Sequence, residues 1–464
     1  MTSTQELPNT GHSNPQSAGV LAPALSIGFG AAVLMWVVAW ILHMPGVRVS
    51  NSIAIPMLLV PLLAMCMLWI PGVPPSKRVK AGAVSGLVAG LVNLLILGSF
   101  ITEQPESTAE MSEKANSLAP NAFVVILGSI TVSIVVALLA SLIVRGKQFE
   151  TLESRKWLSR FAWVTALTYI PLIAVGGAVT STDSGLAVPD AITSYGAISV
   201  LFPLKLMAEP RIFLEHSHRL FGTLAGFTTI VLMLRVVISR VQTLPKVLSI
   251  VLFLAVSAQG ILGIVRVADA STAFAIIHGV FAQLVFALAF VIAIMLTRTW
   301  METSPSEAVV ANAKKARTVM ILAFIALCIQ LVFGALTRHM HSSHAMLSHM
   351  GFAFIVMSLV IIGGAFCIRA GKADPSGKPI RIFGILMHGI VTWQFALGFA
   401  TLSLAWTSDN PDLPTADTLH KADAIDPIGA LVATLHQVSG AALLATTACA
   451  LVWAIKLARG PKIK

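Results

Sequence analysis

Five consecutive residues, Glu215-His216-Ser217-His218-Arg219, set a carboxylate, two imidazoles and a guanidinium at the mouth of an apolar run that ends near Arg235. Ionisable groups on a membrane-length helix are costly and mark function. An imidazole can ligate a metal. A carboxylate beside it can relay a proton, act as general base or stabilise developing positive charge. Each helical residue advances about 100°, so Glu215, His218 and Arg219 share one face while His216 points almost the opposite way.

Three further histidines match His218 in depth. His218, His278, His349 and His436 lie one to two turns from the outer ends of alternate spans in an eight-span unit. Imidazoles from two helices are a usual way to hold a haem iron axially inside a bundle, and each half of the unit supplies one pair. One turn deeper stand small residues, Gly222, Ala282, Ala353 and Gly440, against which a flat macrocycle can lie. The rival reading is hydrogen bonding between helices, but burying four imidazoles at one depth without ligation is expensive. His216, His339, His341 and His344 fall nearer the outer loops and read as solvated or as supports of the ligands. His388 is too far across the membrane to join them, and His43 reads as a solvated helix end. Glu215 has no counterpart in the second half, where Met346 lies three residues before His349, so chemistry is expected in the first half. The plain alternative for Glu215 is a first-turn carboxylate favoured by the helix dipole. Arg219, Arg266 and Arg338 are candidates for pairing with haem propionates or for anchoring at the interface.

These residues need a membrane bundle to position them. Of 464 residues, 56% are hydrophobic and 11% charged, against about 25% charged in soluble domains. Apolar runs of about 20 residues, enough to cross the hydrocarbon core, begin near residues 22, 52, 82, 122, 160, 216, 247, 272, 317, 343, 380 and 429. The expected fold is an all-α polytopic membrane protein of about twelve helices, the last eight forming two pseudo-symmetric four-helix bundles. The net charge of +11 is confined to alternate loops, which is the positive-inside pattern and not a nucleic-acid surface. It places both termini inside and the histidines near the outer face. No removable signal peptide is expected. Cys66, Cys328, Cys367 and Cys449 all fall in predicted spans. The chain divides into a disordered lead (1–20), a four-helix region with no assignable chemistry (21–156) whose Gly82, Gly86, Gly90 and Gly98 suggest close packing, a first half (157–300) and a second half (301–464). Duplication shows in Gln259-Gly260-Ile261-Leu262-Gly263 and Gln394-Phe395-Ala396-Leu397-Gly398.

About residues 157–460, the chain resembles the haem A synthase family. The resemblance rests on Glu215-His216-Ser217-His218-Arg219-Leu220-Phe221-Gly222, on Gln259 to Gly263 continuing to Arg266-Val267, and on Ile277-His278-Gly279. It rests also on Gly334-Ala335-Leu336-Thr337-Arg338-His339, with Gly176-Gly177, Ser184 to Ala187 and Pro189-Asp190. It implies oxidation of the C8 methyl of haem O to a formyl group, giving haem A for a terminal oxidase. It further implies haem O between His218 and His278, haem b as cofactor between His349 and His436, and Glu215 as the functional carboxylate. Family members often carry an outer-loop Cys-Pro-Asp-Trp, where this chain has Val188-Pro189-Asp190-Ala191, and often Arg where it has Met350.

A haem O synthase as donor, a separate electron-transfer partner, a terminal oxidase downstream and the lipid bilayer of a bacterial inner membrane are the partners this implies, and a homo-oligomer is compatible with it. Nucleic acid is not expected. The competing functions are a two-haem cytochrome exchanging electrons with quinone and a transporter with inverted repeats; the latter would need interrupted helices with buried charge at the midplane.

Overall fold

The computed structural model describes residues 19–105, 110, 116–146, 150–406 and 413–461. The expected lead at 1–20 lies almost wholly outside the described residues. Twelve helices are long and apolar enough to span a membrane: α1 (Leu21–Leu42), α2 (Asn51–Trp69), α3 (Arg78–Ile101), α4 (Ala122–Ile143), α5 (Ser154–Ser181), α6 (Pro210–Ile238), α7 (Thr243–Ala268), α8 (Thr272–Met295), α9 (Glu307–Met340), α10 (Ser343–Ala373), α11 (Lys378–Leu404) and α12 (Pro427–Leu457). The protein is an all-α polytopic membrane protein. Helices dominate because a spanning segment must satisfy its own backbone hydrogen bonds.

Packing joins the helices in rings of four. α5, α6, α7 and α8 contact one another in sequence and close through α5 and α8; α9 to α12 repeat the arrangement and close through α9 and α12. α12 packs against α5 and α8, binding the two rings. α1 to α4 form a third group, docked through α1 on α5 and α6. In it, a Cβ on Gly86 would stand 2.6 Å from the Ile134 Cα, and one on Gly90 3.1 Å from the Ile130 Cα, so α3 and α4 meet backbone to backbone. That is the close approach expected of the glycine-rich third span.

Arg78, at the start of α3, carries a structural role beside its charge. It is fully buried and donates to the carbonyls of Pro71 (2.8 Å), Val73 (3.0 Å), Val144 (3.2 Å) and Arg145 (3.0 Å). These are carbonyls at and beyond the ends of α2 and α4, which have no helical partner of their own.

The segment between α5 and α6 folds over the histidine-bearing end. It contains a two-residue hairpin, β1 (Thr193–Ser194) and β2 (Ala197–Ile198), turned by Tyr195 and Gly196 at φ 51° and 80°. The Asp190 carboxylate accepts from Thr193 Oγ1 (2.8 Å) and from the Gly196 N–H (2.6 Å), fixing the turn.

Candidate haem-binding site

The helices bearing His218, His278, His349 and His436 are the ones whose N-termini receive a side-chain cap within their rings. Glu209 accepts from the Ile212 N–H at 2.7 Å ahead of α6, and Ser271 from Phe274 at 3.3 Å ahead of α8. Ser342 accepts from Ala345 at 3.4 Å ahead of α10, and Asp426 from Ile428 and Gly429 at 3.0 Å ahead of α12. Their ring neighbours α5, α7, α9 and α11 have no such cap. Capping satisfies orphan N–H groups and fixes where each helix starts, hence how deep its histidine sits.

His218 on α6 faces His278 on α8 across the first ring, with ring centroids 6.4 Å apart and planes at 74°. His349 on α10 faces His436 on α12 across the second, at 6.2 Å and 78°. The structure thus brings together both expected pairs in nearly identical geometry. Neither pair is hydrogen-bonded ring to ring, and all four residues are half-buried.

Each imidazole rests on a glycine of the preceding helix. A Cβ on Gly176 would lie 2.9 Å from His218 Cε1; on Gly263, 3.2 Å from His278 Cε1; on Gly334, 3.0 Å from His349 Cε1; on Gly398, 3.4 Å from His436 Cε1. One turn before each glycine, a backbone carbonyl faces the same ring, at Leu172, Gln259, Gln330 and Gln394 respectively. For His218, His278 and His436 the approach falls short of a formed bond, leaving Nδ1 without a partner among the described residues. The glutamines add a clamp: Gln259 Nε2 donates to the His278 carbonyl and Gln330 Nε2 to the His349 carbonyl, both at 2.9 Å. Gln394 accepts from Ser439 and holds its amide nitrogen 3.4 Å from His436 Nε2. Leu172 occupies the corresponding place in α5.

These cradles were only half visible in the sequence. The spacing Gln-x-x-x-Gly marks residues 259/263 and 394/398 as duplication, and its third copy, Gln330 with Gly334, was missed. Which side chain each glycine makes room for is not in the spacing.

The arrangement fits haem. Among the described residues no group of three or more His, Cys, Asp and Glu could hold a bare ion, so two imidazoles suit a metal whose other ligands come from a macrocycle. Imidazole nitrogens bind metals at about 2 Å, and the 6.4 and 6.2 Å separations leave room for one iron between two rings. For His218, His278 and His436, directing Nδ1 toward a backbone carbonyl leaves Nε2 as ligand, the usual outer support of a ligating histidine; His349 differs, with its Nδ1 3.1 Å from the Gln330 amide nitrogen. Nothing lies within 4 Å of a Cβ placed on Gly222, so α6 is open there as expected; on Gly440 the nearest atom is Gln394 Nε2 at 3.2 Å.

Glu215 does not sit in a first turn. α6 begins at Pro210, capped by Glu209, which removes the dipole explanation. Glu215 is 4% exposed; one oxygen accepts from Arg219 at 2.8 Å, the other from the Val188 N–H at 2.8 Å. Arg219 also donates to the carbonyls of Asp190 (2.6 Å), Thr193 (2.8 Å) and Val188 (3.4 Å). Arg338 donates to Thr180 O at 3.1 Å and to Asp183 at 2.6 Å, tying α9 to the end of α5. Two of the three candidate arginines are therefore committed to the protein. The Arg266 guanidinium has no hydrogen bond to another described residue; it packs on Gly185 and acts electrostatically on Glu215, His218 and His278.

Of the two readings of His216, solvated or supporting a ligand, full burial removes the first. The hairpin segment covers it: Ser194 Oγ is 3.3 Å from Nδ1, and the Phe202 ring lies 4.6 Å away. His339 is half-buried and His344 exposed, while His341 ends α9 in the left-handed region at φ 48°. His388 bonds to Gly384 O of its own helix at 2.7 Å, apart from both pairs. His43 does the same with Ala39 O at 2.8 Å and lies against Phe100, so it is packed and not a solvated end.

No curated protein matches the chain. A family model, COX15-CtaA, described as cytochrome oxidase assembly protein, matches residues 159–355; this span holds Glu215, His218, His278 and His349, and ends before His436. Residues 159–355 are thus similar to the cytochrome oxidase assembly proteins.

Proposed function

We propose that the protein is a haem A synthase that oxidises the C8 methyl of haem O to a formyl group. The observation that carries the reading is the two imidazole pairs of equal geometry, only one of which has a carboxylate one turn away. On this reading His218 and His278 hold haem O, and His349 and His436 hold a resident haem b; residues 157–300 and 301–464 are the substrate and resident halves.

Haem bound between such imidazoles supplies the redox chemistry. The residues of this chain do the rest. The Gly176 and Gly263 cradles set the height of the two rings, and Arg266, with donors free, pairs with a propionate. Glu215, held by Arg219 and the Val188 N–H, supplies a fixed negative charge beside the first pair and a group able to accept a proton. The covering segment excludes water from that end. The basic loops at the opposite end support, by the positive-inside rule, a topology with both termini inside and the haem sites near the outer face.

The test is pigment extraction from protein produced with haem O available. Haem A beside resident haem b supports the synthase; resident haem alone, unchanged by added haem O, makes the protein an electron-transfer cytochrome.

A further inference from the structure

Between the two rings of helices lies a cavity of about 310 Å³, within the range of about 300–1,000 Å³ typical of ligand sites. Its lining includes Ile173, three residues before the Gly176 that carries His218, and Val438, two residues after His436, so it begins beneath both imidazole pairs. From there it runs away from the imidazoles, following α12 from Val438 to Cys449, about 16 Å at the helical rise of about 1.5 Å per residue. Phe286 and Phe290 of α8 form one wall, and no charged side chain lines it. Thr446, which does, keeps its hydroxyl on Ala442 O at 2.7 Å. Ala442 and Ala445 keep the cavity open where larger side chains would fill it.

We propose that this cavity receives the farnesyl chain of the haem held by His218 and His278, an assignment that rests on the synthase reading above. Its length, its apolar wall and its start one turn below a glycine cradle suit a single prenyl chain hanging from that haem. A quinone would need donors for its carbonyl oxygens, for which the lining supplies the Trp163 indole N–H and the weakly donating Cys449 thiol, so a bound quinone is an outcome the test must separate. The resident haem b carries no such chain. The cavity therefore gives two nearly equal imidazole pairs a means of taking different haems: burying a chain selects the haem that has one.

Ala442→Phe and Ala445→Phe fill the cavity without touching any ligand. The purified full-length parent and variants, each with haem b in the second pair, are titrated spectroscopically with haem O and with haem B, and co-purifying lipids are read by native mass spectrometry. The expected result is a preference of the parent for haem O that falls by about tenfold or more in the variants, with resident haem b and haem B binding unchanged. Equal loss of both haems would mean disrupted packing, and unchanged haem O affinity a cavity unrelated to the tail; either overturns the assignment. So does a quinone or phospholipid chain expelled by the variants while haem O binding persists. A parent that binds no haem O at all removes the synthase reading itself.

Discussion

The Glu215 carboxylate is joined to Arg219, one turn later on α6, at 2.8 Å, and through its other oxygen to the backbone of Val188. Glu215→Gln keeps an acceptor for the Val188 N–H and removes the charge. The expected variant folds, keeps resident haem b and binds haem O, yet forms haem A about 10² to 10⁴-fold more slowly. Chromatography of extracted haems checks this; near-parental haem A would confine Glu215 to holding the loop.

The four cradles predict a graded series. Alanine at Gly176 and Gly334 puts a methyl at 2.9 and 3.0 Å from an imidazole carbon, at Gly263 at 3.2 Å, and at Gly398 at 3.4 Å, an ordinary contact. Gly334→Ala is expected to lower haem b content sharply and Gly398→Ala hardly at all, while Gly176→Ala depresses haem O binding more than Gly263→Ala. Haem-to-protein ratios across the set decide it. A flat series, or the reverse order, removes the glycines from ligand placement.

His349→Leu and His436→Leu are each expected to abolish the resident haem b signal. Retention of full haem b in both would put that haem elsewhere.

Arg78→Ala strips a buried guanidinium from four carbonyls, each left unsatisfied at about 1–3 kcal/mol. Thermal unfolding in detergent is the measurement, with a large drop in midpoint expected. Arg78→Lys, which cannot reproduce the planar fork, should rescue only in part. A midpoint within a degree or so of the parent would refute the clasp.

Tyr195, in the hairpin, donates to Ala187 O at 3.2 Å, and burial followed by the Glu215 charge pushes its phenol up to about 12. Its unfolded value is about 10. A raised folded value means the stabilisation is whole below about 10 and is lost as pH climbs toward 12. Hydrogen exchange of residues 187–199 should therefore quicken between those limits in the parent and not in Tyr195→Phe, where the ionisation is gone.

The spans, the two pairs and their assignment to facing helices were legible because His218, His278, His349 and His436 recur at one depth in alternate apolar runs, and periodicity in a membrane is a strong signal. The fate of the arginines was not. Arg219, Arg266 and Arg338 look alike in sequence, and only the fold of residues 182–209 makes the first a loop anchor, leaves the second with free donors and turns the third toward Asp183. The burial of His216 was hidden for the same reason: a helical wheel gives the direction of a side chain but not the hairpin that covers it.

The glycine seats have one more consequence. Because each imidazole leans on bare backbone, the gap between facing rings is gauged by how far apart whole helices stand, not by the identity of a neighbouring side chain. The two halves can then diverge at most of their lipid-facing positions and still reproduce the same spacing to within 0.2 Å, as 6.4 and 6.2 Å show. Selection on such a site would be felt as a limit on interhelical distance.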